Sequence, residues 1–428
     1  MHIPAGPRLE PIVTLEATGG ELERRLWERL APAHWPIDPH HLPAGTALVG
    51  GAVRDALLGQ LRERPDLDLV VPAGAIALGQ RLARQWGGSC VVLDRRRDIA
   101  RLVLADWTID LARQEGTTLS DDLGRRDFSA NAIALPLPPG APLLDPTGGL
   151  AALRRGQLVA VAEANLIDDP LRLLRGIRLR WQLQLQLEPT TAGWIAAHAH
   201  RLVAVAGERV LSELQQLAVA AHGEQGLAQA LELGLLTPWA VDAGAAPRLA
   251  VLDAGAPARL GLDAAESAAA LPLARLAALL PGQAVRDLRG SRRLQRQCGE
   301  LRHWWQRLRE LGGAAALAAL EEGERLRLQG QLETTLPALL LALPAPQARS
   351  ALARWRDGDD PLFHPRPPLS GDRLGELLAV PPGPELGELL RHLTRERAFG
   401  RLPVSGEREA LAAARLWLGQ RRGYQRRV

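Results

Sequence analysis

One stretch, LVGGAVRDALLGQLRERPDLDLVV from Leu48 to Val71, constrains the fold more than any other part of the chain. It begins with an apolar run and the pair Gly50-Gly51, and it ends with Asp66-Leu67-Asp68 before a second apolar run. Alternate side chains of a β-strand point to one face, so both carboxylates share a face. A glycine pair at a strand-to-helix turn lets the backbone approach a phosphate. The stretch predicts a site for a metal ion and a triphosphate.

The bulk properties are those of a globular protein. The chain has 428 residues, 46% hydrophobic and 23% charged, with a net charge of +4 in which every basic residue counted is arginine. Two cysteines, Cys90 and Cys298, exclude a disulfide framework. No apolar run approaches the roughly 20 residues that span a bilayer, and the start lacks the pattern of a secretory signal. We therefore expect a cytoplasmic protein without a membrane segment.

Apolar periodicity divides the chain into a mixed head and a helical remainder. Helices are expected at Glu21–Leu30 and Ile76–Trp86, and the pattern turns helical from Asn165 onward. Strands are expected at Ala47–Val49, Leu67–Val71, Cys90–Leu93, Ala100–Leu104, Trp107–Leu111, Ile133–Leu135 and Pro142–Leu144. The expected fold class is α+β, with a small mixed sheet followed by an all-α region.

Two carboxylates on one strand face can hold divalent ions about 3.5–4 Å apart, as nucleotidyl transfer requires. Asp110, in a neighbouring predicted strand, is the best third acid, with Asp106 as its competitor at a probable turn. A solvated strand end is the alternative interpretation of each acid.

Two further motifs suit a nucleotide. In Arg125-Arg126-Asp127-Phe128-Ser129-Ala130-Asn131, the arginines suit a triphosphate, and the acid and amide suit a ribose hydroxyl; a capped helix start is the alternative. From Asp169 to Arg178, an acid and three arginines recur at a spacing of three on a helix, where they can contact a base edge and phosphates. An ion-paired surface helix is the alternative, but the intervening leucines predict burial.

The ordered set GGAVRD, DLDLVV, RRDFSANAIAL, LLDPTGGLAALRRG, DDPLRLLRGIRL and GERVLSEL resembles the class II tRNA nucleotidyltransferase and bacterial poly(A) polymerase family. The resemblance implies a nucleotidyltransferase palm followed by a helical neck, body and tail. The implied division is an extension at 1–44, a head at 45–161, a neck at 162–222, and a tRNA-binding body and tail at 223–428.

The resemblance also implies residue roles. Asp66 and Asp68 match the metal-binding pair, which would hold two Mg²⁺ ions, and Asp110 falls where the family has its third catalytic acid. Asp169 and Arg172 match the amino-acid template that pairs with the incoming base. Nucleotide contacts are implied at Gly50, Gly51, Arg54, Arg126, Asp127, Asn131, Asp169, Arg172, Arg175 and Arg178.

Four features refine the resemblance. The usual Glu-Asp template pair is Asp168-Asp169 here. The segment Leu111 to Gly124 is short, which in this family accompanies enzymes that add only the two cytidines of the CCA end. The segment Pro368 to Leu390 is similar to the family's tRNA-approaching tail, and a plain turn between two packing helices is the alternative interpretation. No His-Asp phosphohydrolase motif is present.

The sequence therefore predicts an enzyme that adds CMP to the tRNA 3′ end, with CTP as substrate and ATP as a possible second one. Basic helices such as Arg292–Arg309 would grip the acceptor arm, and a separate enzyme would add the final A. The alternatives are a complete CCA-adding enzyme, a poly(A) polymerase, and a catalytically degenerate tRNA-binding protein.

Overall fold

The computed structural model describes residues 10–13, 20–239, 241, 244–312, 316–403 and 406–425. Its internal contacts define two compact units. The first extends to Val205 and includes Leu233–Leu235, and the second comprises Ala206–Glu232 and the chain from Leu236 onward. The finer division into extension, head, neck, and body with tail stays a prediction.

The first unit contains a six-stranded sheet with the spatial order β3-β4-β5-β2-β1-β6. Its strands are β1 Ala47–Val49, β2 Leu67–Val71, β3 Ser89–Asp94, β4 Ile99–Leu104, β5 Trp107–Arg113 and β6 Ala134–Pro136. Strands β2 and β5 pair in parallel, and the other neighbouring pairs are antiparallel. Six of the seven expected strands are thereby confirmed. The seventh was wrong as a strand: Leu144 makes a single bridge to Ala134.

Helices precede, cover and follow this sheet. The first unit contains α1 Glu21–Leu30, α2 Gly51–Leu57, α3 Ala75–Trp86, α4 Leu119–Gly124, α5 Gly149–Arg154, α6 Glu163–Asp168, α7 Leu171–Leu183 and α8 Pro189–His198. A short parallel pair, β7 Gln157–Leu158 and β8 Gln186–Leu187, joins the end of the head motif to α7. The expected α+β class is confirmed.

The two faces of the sheet differ in what they carry. Along β4 and β5, buried residues such as Leu102 and Leu111 alternate with more exposed ones such as Arg101 and Asp110. Helix α3 packs against the buried face, where a Cβ on Gly79 would lie 3.3 Å from Leu111 Cδ1. The opposite face is therefore left open for the acids.

The segment before the sheet packs onto the head. Helix α1 contacts α2, and Arg29 Nη1 donates a hydrogen bond to the carbonyl oxygen of Ala56 at 2.9 Å. Trp35 and Ile37, in the connector, are buried, because they cover apolar surface that would otherwise be exposed.

The second unit is helical throughout the part that the structure describes. Its helices are α9 Gly207–Val219, α10 Gly223–Glu232, α11 Ala245–Ala250, α12 Ala256–Leu260, α13 Ala264–Leu279, α14 Gly282–Asp287, α15 Arg292–Glu310, α16 Ala316–Ala319, α17 Glu322–Leu332, α18 Leu336–Leu340, α19 Ala345–Arg356, α20 Gly371–Leu378, α21 Pro384–Ala398 and α22 Glu407–Gln425. None of the described helices is long and apolar enough to cross a lipid bilayer.

Candidate active site

The acids predicted from the sequence meet at the centre of the open sheet face. Asp68 on β2 lies directly opposite Asp110 on β5 in the parallel register. Asp66 precedes Asp68 by two residues, so the strand alternation turns it to the same face. Asp106 lies at the turn before β5, where it is exposed and pairs with Arg64. The choice of Asp110 as the acid that neighbours Asp68 fits this geometry, while its catalytic role stays a prediction.

Asp68 carries the most perturbed carboxyl of the site. Burial and the nearby charge of Asp110 raise its pKa to about 6, and Asp66 adds to the effect. The guanidinium of Arg126 and the backbone N–H of Gly51 act against this rise in pKa by favouring the charged form. The cluster thus holds more negative charge than its protein neighbours neutralise.

That excess charge fits a divalent cation. Carboxylate oxygens are the ligands that Mg²⁺ prefers, and a cation at Asp66 and Asp68 would relieve the repulsion that raises the pKa of Asp68. Within the described residues, no three His, Cys, Asp or Glu side chains are gathered into a group that could hold a metal ion. The pair Asp66 and Asp68 therefore fits the metal, whereas Asp110 as a third ligand stays a prediction.

Gly50 shapes the turn that faces these acids. Its backbone torsions are φ 76° and ψ −136°, a region that is accessible almost only to glycine. A Cβ at this position would lie 2.8 Å from Asp68 Oδ2 and 3.7 Å from Arg126 Nη1. The absence of a side chain thus lets the start of α2 approach Asp68.

We expect Gly50→Ala to reduce the kcat/KM of nucleotide incorporation about a hundredfold, because the new methyl group displaces the Asp68 carboxylate. Gly156→Ala is the matched control, since Gly156 also has a positive φ, of 65°, but no atom lies within 4 Å of its Cβ position. Steady-state kinetics of both variants test the prediction. Equal losses of activity in the two variants would refute it.

Arg54, on α2, belongs to a hydrogen-bond chain that continues to α7. Its Nε donates to Asp55 Oδ1 at 2.8 Å, and its Nη1 donates to Asn131 Oδ1 at 2.6 Å. Asn131 Nδ2 in turn donates to Asp127 Oδ1 at 3.0 Å. Arg175, on α7, completes the chain by donating from Nε and Nη2 to Asp127 Oδ2 at 3.0 and 2.9 Å. Four of the residues predicted to bind the nucleotide, namely Arg54, Asn131, Asp127 and Arg175, thus form one continuous chain of hydrogen bonds.

Asp127 is the centre of this chain. Although burial opposes its ionisation, Arg175, Asn131 and the backbone N–H of Phe128 lower its pKa to about 2. The carboxylate is thereby fixed in its charged form by groups from two separate motifs. Its predicted ribose contact has to be made in addition to these protein contacts.

The lowered pKa of Asp127 predicts an acid-dependent stability. Its ordinary value is 3.8, so the stabilisation by the charged form is complete above about pH 5 and is lost as the pH falls toward 2. We expect the difference in unfolding free energy between wild type and Asp127→Asn to shrink by about 2 kcal/mol over that interval. Urea titrations at several pH values measure it, with Asp106→Asn as an exposed control. A difference that does not change with pH would contradict the prediction.

Arg126 follows α4 and lies between Asp68 and the Asp122 side chain of that helix. Its Nη2 donates to Asp122 Oδ2 at 3.2 Å, while its Nε is buried without a hydrogen-bond partner in the structure. Asn165 fixes the backbone of this turn by donating to the carbonyl oxygens of Arg126 and Gly124 at 2.8 and 2.9 Å. Arg126 therefore faces Asp68 from a rigid turn.

The predicted base-selecting residues lie around the start of α7. Asp169 follows the end of α6, and its Oδ1 accepts a hydrogen bond from the Leu171 N–H at 3.3 Å. Arg172 Nη1 donates to the carbonyl oxygens of Arg125 and Asn165 at 2.8 and 3.1 Å. These contacts fix the guanidinium of Arg172. Asp169 lies in extended backbone just before α7 and not on the helix, so the expected helical spacing from Asp169 to Arg172 was wrong, and their joint role in base selection stays a prediction.

Most of α7 is buried, as its leucines predicted, although Gln182 near its end is exposed. Arg178 is itself buried and donates to Gln182 Oε1, on the same helix, at 2.7 Å. A Cβ on Gly176 would lie 2.7 Å from Phe128 Cζ, so the helix packs closely on the Arg125–Asn131 motif. Packing thus connects the two nucleotide motifs that lie far apart in the sequence.

The sequence interpretation missed three polar residues that position the site: Arg101, Asp122 and Asn165. Arg101 interrupts an apolar strand, which could have marked it as a residue on the acid face. Asp122 and Asn165 act through hydrogen bonds to neighbouring turns, for which the sequence has no clear signal.

Two stretches of this chain match known protein families. Residues 46–159 match the family described as "Poly A polymerase head domain", and residues 184–240 match "Probable RNA and SrmB- binding site of polymerase A". The first match contains the acids, the glycine turn and the Arg125–Asn131 motif. The fold and the site together define a nucleotidyltransferase.

Full-length relatives narrow this class. The chain is 37% identical over 402 residues to a CC-adding tRNA nucleotidyltransferase of Synechocystis sp., covering 89% of this chain and 95% of the relative. It is 33% identical to an A-adding tRNA nucleotidyltransferase of Deinococcus radiodurans, covering 89% and 97%. The chain belongs to the tRNA nucleotidyltransferase family.

Solved structures support the fold. A CCA-adding enzyme in complex with ATP aligns with a TM-score of 0.66 at 20% identity, covering 87% of this chain and 91% of that one. The Thermotoga maritima CCA-adding enzyme complexed with tRNA aligns with a TM-score of 0.62 at 20% identity, covering 95% and 98%.

Proposed function

We propose that this enzyme adds two cytidines to the 3′ end of tRNA and does not add the final adenosine. The observation that carries this specificity is the short, internally bonded segment between β5 and α4. The relatives alone do not decide the nucleotide, because CC-adding and A-adding enzymes both match most of the chain.

The segment between β5 and α4 comprises residues 114–118. The N–H of Gln114 donates to the carbonyl oxygen of Val71 at 2.8 Å, and the N–H of Glu115 donates to Asp122 Oδ1 at 2.9 Å. Thr118 and Asp121 form a capping box at the start of α4. A segment so short and so fully bonded favours one fixed site geometry, which supports a single nucleotide specificity.

In the proposed reaction, the terminal ribose hydroxyl of the RNA attacks the α-phosphate of CTP, and pyrophosphate leaves. Asp66 and Asp68 would hold divalent ions, which we propose to be two Mg²⁺; bound there, they supply activation of the hydroxyl and neutralisation of the triphosphate. The turn at Gly50 and Gly51 lets the backbone approach the phosphates, and Arg126 offers its guanidinium beside Asp68. The predicted triphosphate contact of Arg54 adds to its bonds with Asp55 and Asn131.

Base selection is assigned to Asp169 and Arg172. A carboxylate accepts from the exocyclic amine of cytosine, while a guanidinium donates to its ring nitrogen and carbonyl oxygen. The carbonyl oxygens of Arg125 and Asn165 fix the guanidinium of Arg172, which limits the bases it can contact.

RNA binding is assigned in part to α15 of the second unit. Arg292, Arg293, Arg296 and Arg309 are exposed on this helix and can meet phosphates, so binding should weaken as salt rises. Its other arginines are engaged structurally: Arg302 donates to carbonyl oxygens at the end of α13, and Arg307 pairs with Glu324. The helix is therefore less of a basic surface than its sequence indicated. The start of α21 at Gly383-Pro384 is a further candidate contact, and the cytoplasm is the proposed location.

The test uses tRNA that ends before the CCA sequence, incubated with CTP alone, ATP alone, or both. We expect two cytidines and no adenosine in every mixture that contains CTP. Efficient addition of A onto a CC end would refute the specificity and favour a complete CCA-adding enzyme. Long A tails on unstructured RNA would favour a poly(A) polymerase.

A further inference from the structure

Arg101, on β4, is bound to the acid cluster in a way that the reaction does not explain. Its Nε donates to Asp110 Oδ1 and its Nη2 donates to Asp110 Oδ2, both at 2.8 Å. This is a bidentate salt bridge, in which the planar guanidinium donates to both carboxylate oxygens. Each oxygen of Asp110 thus already accepts a hydrogen bond from a cation.

The sheet itself imposes this contact. Arg101 lies directly opposite Asp110 in the antiparallel register of β4 and β5, and Asp110 lies opposite Asp68 in the parallel register of β5 and β2. The three side chains therefore form a row across the open face. Because neighbouring strands are about 4.8 Å apart, Arg101 lies one strand beyond Asp110 on the side away from Asp68.

The charges in this row favour Arg101 as the partner of Asp110. The hydrogen bond to Asp110 raises the pKa of Arg101 against the effect of burial, and the negative charges of Asp110, Asp66 and Asp68 add to this rise. A divalent ion that took Asp110 as a ligand would come close to the guanidinium and be repelled by it. Within the part of the chain that the structure describes, neither Asp66 nor Asp68 forms such a pair with an arginine.

We propose that Arg101 is a positioning residue: its guanidinium keeps both carboxylate oxygens of Asp110 occupied. In the nucleotide-free enzyme, Asp66 and Asp68 therefore ligate the divalent ion and Asp110 does not. This inference rests on the proposed function, because it concerns the metal of that same site. It leaves Asp110 to act through its charge on the neighbouring groups, in place of the third-ligand role that the resemblance implies.

The test measures Mn²⁺ binding to the nucleotide-free protein by electron paramagnetic resonance, which needs no turnover. The variants are Arg101→Gln, Asp110→Asn, the double variant, and Asp68→Asn. Arg64→Gln is the matched control, since it also removes one arginine from an exposed Arg–Asp pair, with Asp106. Thermal melting of each variant confirms that it is folded.

We expect Asp110→Asn to leave the Mn²⁺ affinity close to the wild-type value, and Arg101→Gln to raise it on the order of tenfold by releasing Asp110 as a ligand. Arg64→Gln should have no effect. The double variant should lose the gain, because it depends on the freed carboxylate. A gain that persists in the double variant would overturn the proposal, since it would come from charge alone.

Two other results have distinct meanings. If Asp110→Asn weakens Mn²⁺ binding as strongly as Asp68→Asn, Asp110 is a ligand, and the role of Arg101 is overturned while the proposed reaction stands. If Asp68→Asn leaves Mn²⁺ binding unchanged, the metal is not held by this cluster, and the proposed site and the role of Arg101 both fall.

Discussion

Asp68→Asn is expected to reduce the incorporation of labelled CMP at least about a thousandfold, because it would remove one of the two charges that we propose to hold the metal, and with it several kcal/mol of transition-state stabilisation. Asp68 is the acid with the raised pKa, and it faces both the Gly50 turn and Arg126. No other carboxyl of the cluster combines these contacts in the described structure.

The fold of this variant should be intact. At neutral pH the ionised Asp68 is disfavoured by burial and by Asp110, so a neutral amide relieves that cost, and the melting temperature without metal should equal or exceed the wild-type value. Asp106→Asn is the control, because it makes the same change at an exposed turn of the same sheet. Unchanged incorporation by Asp68→Asn would refute the metal assignment and favour a degenerate, RNA-binding protein.

Arg275→Met is expected to destabilise the second unit by about 3–5 kcal/mol, since it leaves a buried carboxylate without its partner. Arg275 is fully buried and pairs with Glu224, which is itself 5% exposed. Its Nη1 donates to the carbonyl oxygens of Ala218 and Ala220, at 2.9 and 2.7 Å, and thereby caps the C-terminal end of α9.

Urea unfolding followed by tryptophan fluorescence measures this effect. Arg349→Met is the control, because Arg349 also donates to a carbonyl oxygen, that of Arg259, but from an exposed position. The double variant Arg275→Met with Glu224→Gln should regain part of the loss, because the uncompensated charge is gone. A loss in Arg275→Met no larger than that in Arg349→Met would contradict the prediction.

The sequence predicted local structure and the acid pair well. Apolar alternation located β2 and β5, and the spacing of Asp66 and Asp68 placed both on one face. These features depend on residues that are neighbours along the chain. The helix of Glu21–Leu30 was predicted at its observed bounds for the same reason.

The remaining features depend on which strands and helices meet. Strand register alone decides that Arg101 lies opposite Asp110, and no single strand encodes its own register. Likewise, Arg175 and Asp127 are in contact although they are far apart in the chain. The sequence therefore showed the two motifs but not that they contact each other. The sequence also did not show that Arg302 and Arg307 of α15 have carbonyl and carboxylate partners on other helices.

The hydrogen-bond chain from Arg54 through Asn131 and Asp127 to Arg175 also has an evolutionary consequence. Each member satisfies the next, so a substitution at one end leaves an unmatched donor or acceptor further along. A substitution in this chain is therefore tolerated mainly when a second one restores the missing partner, and such double substitutions are rare in evolution. We therefore expect substitutions in α2 and in α7 to accumulate together among relatives of this protein.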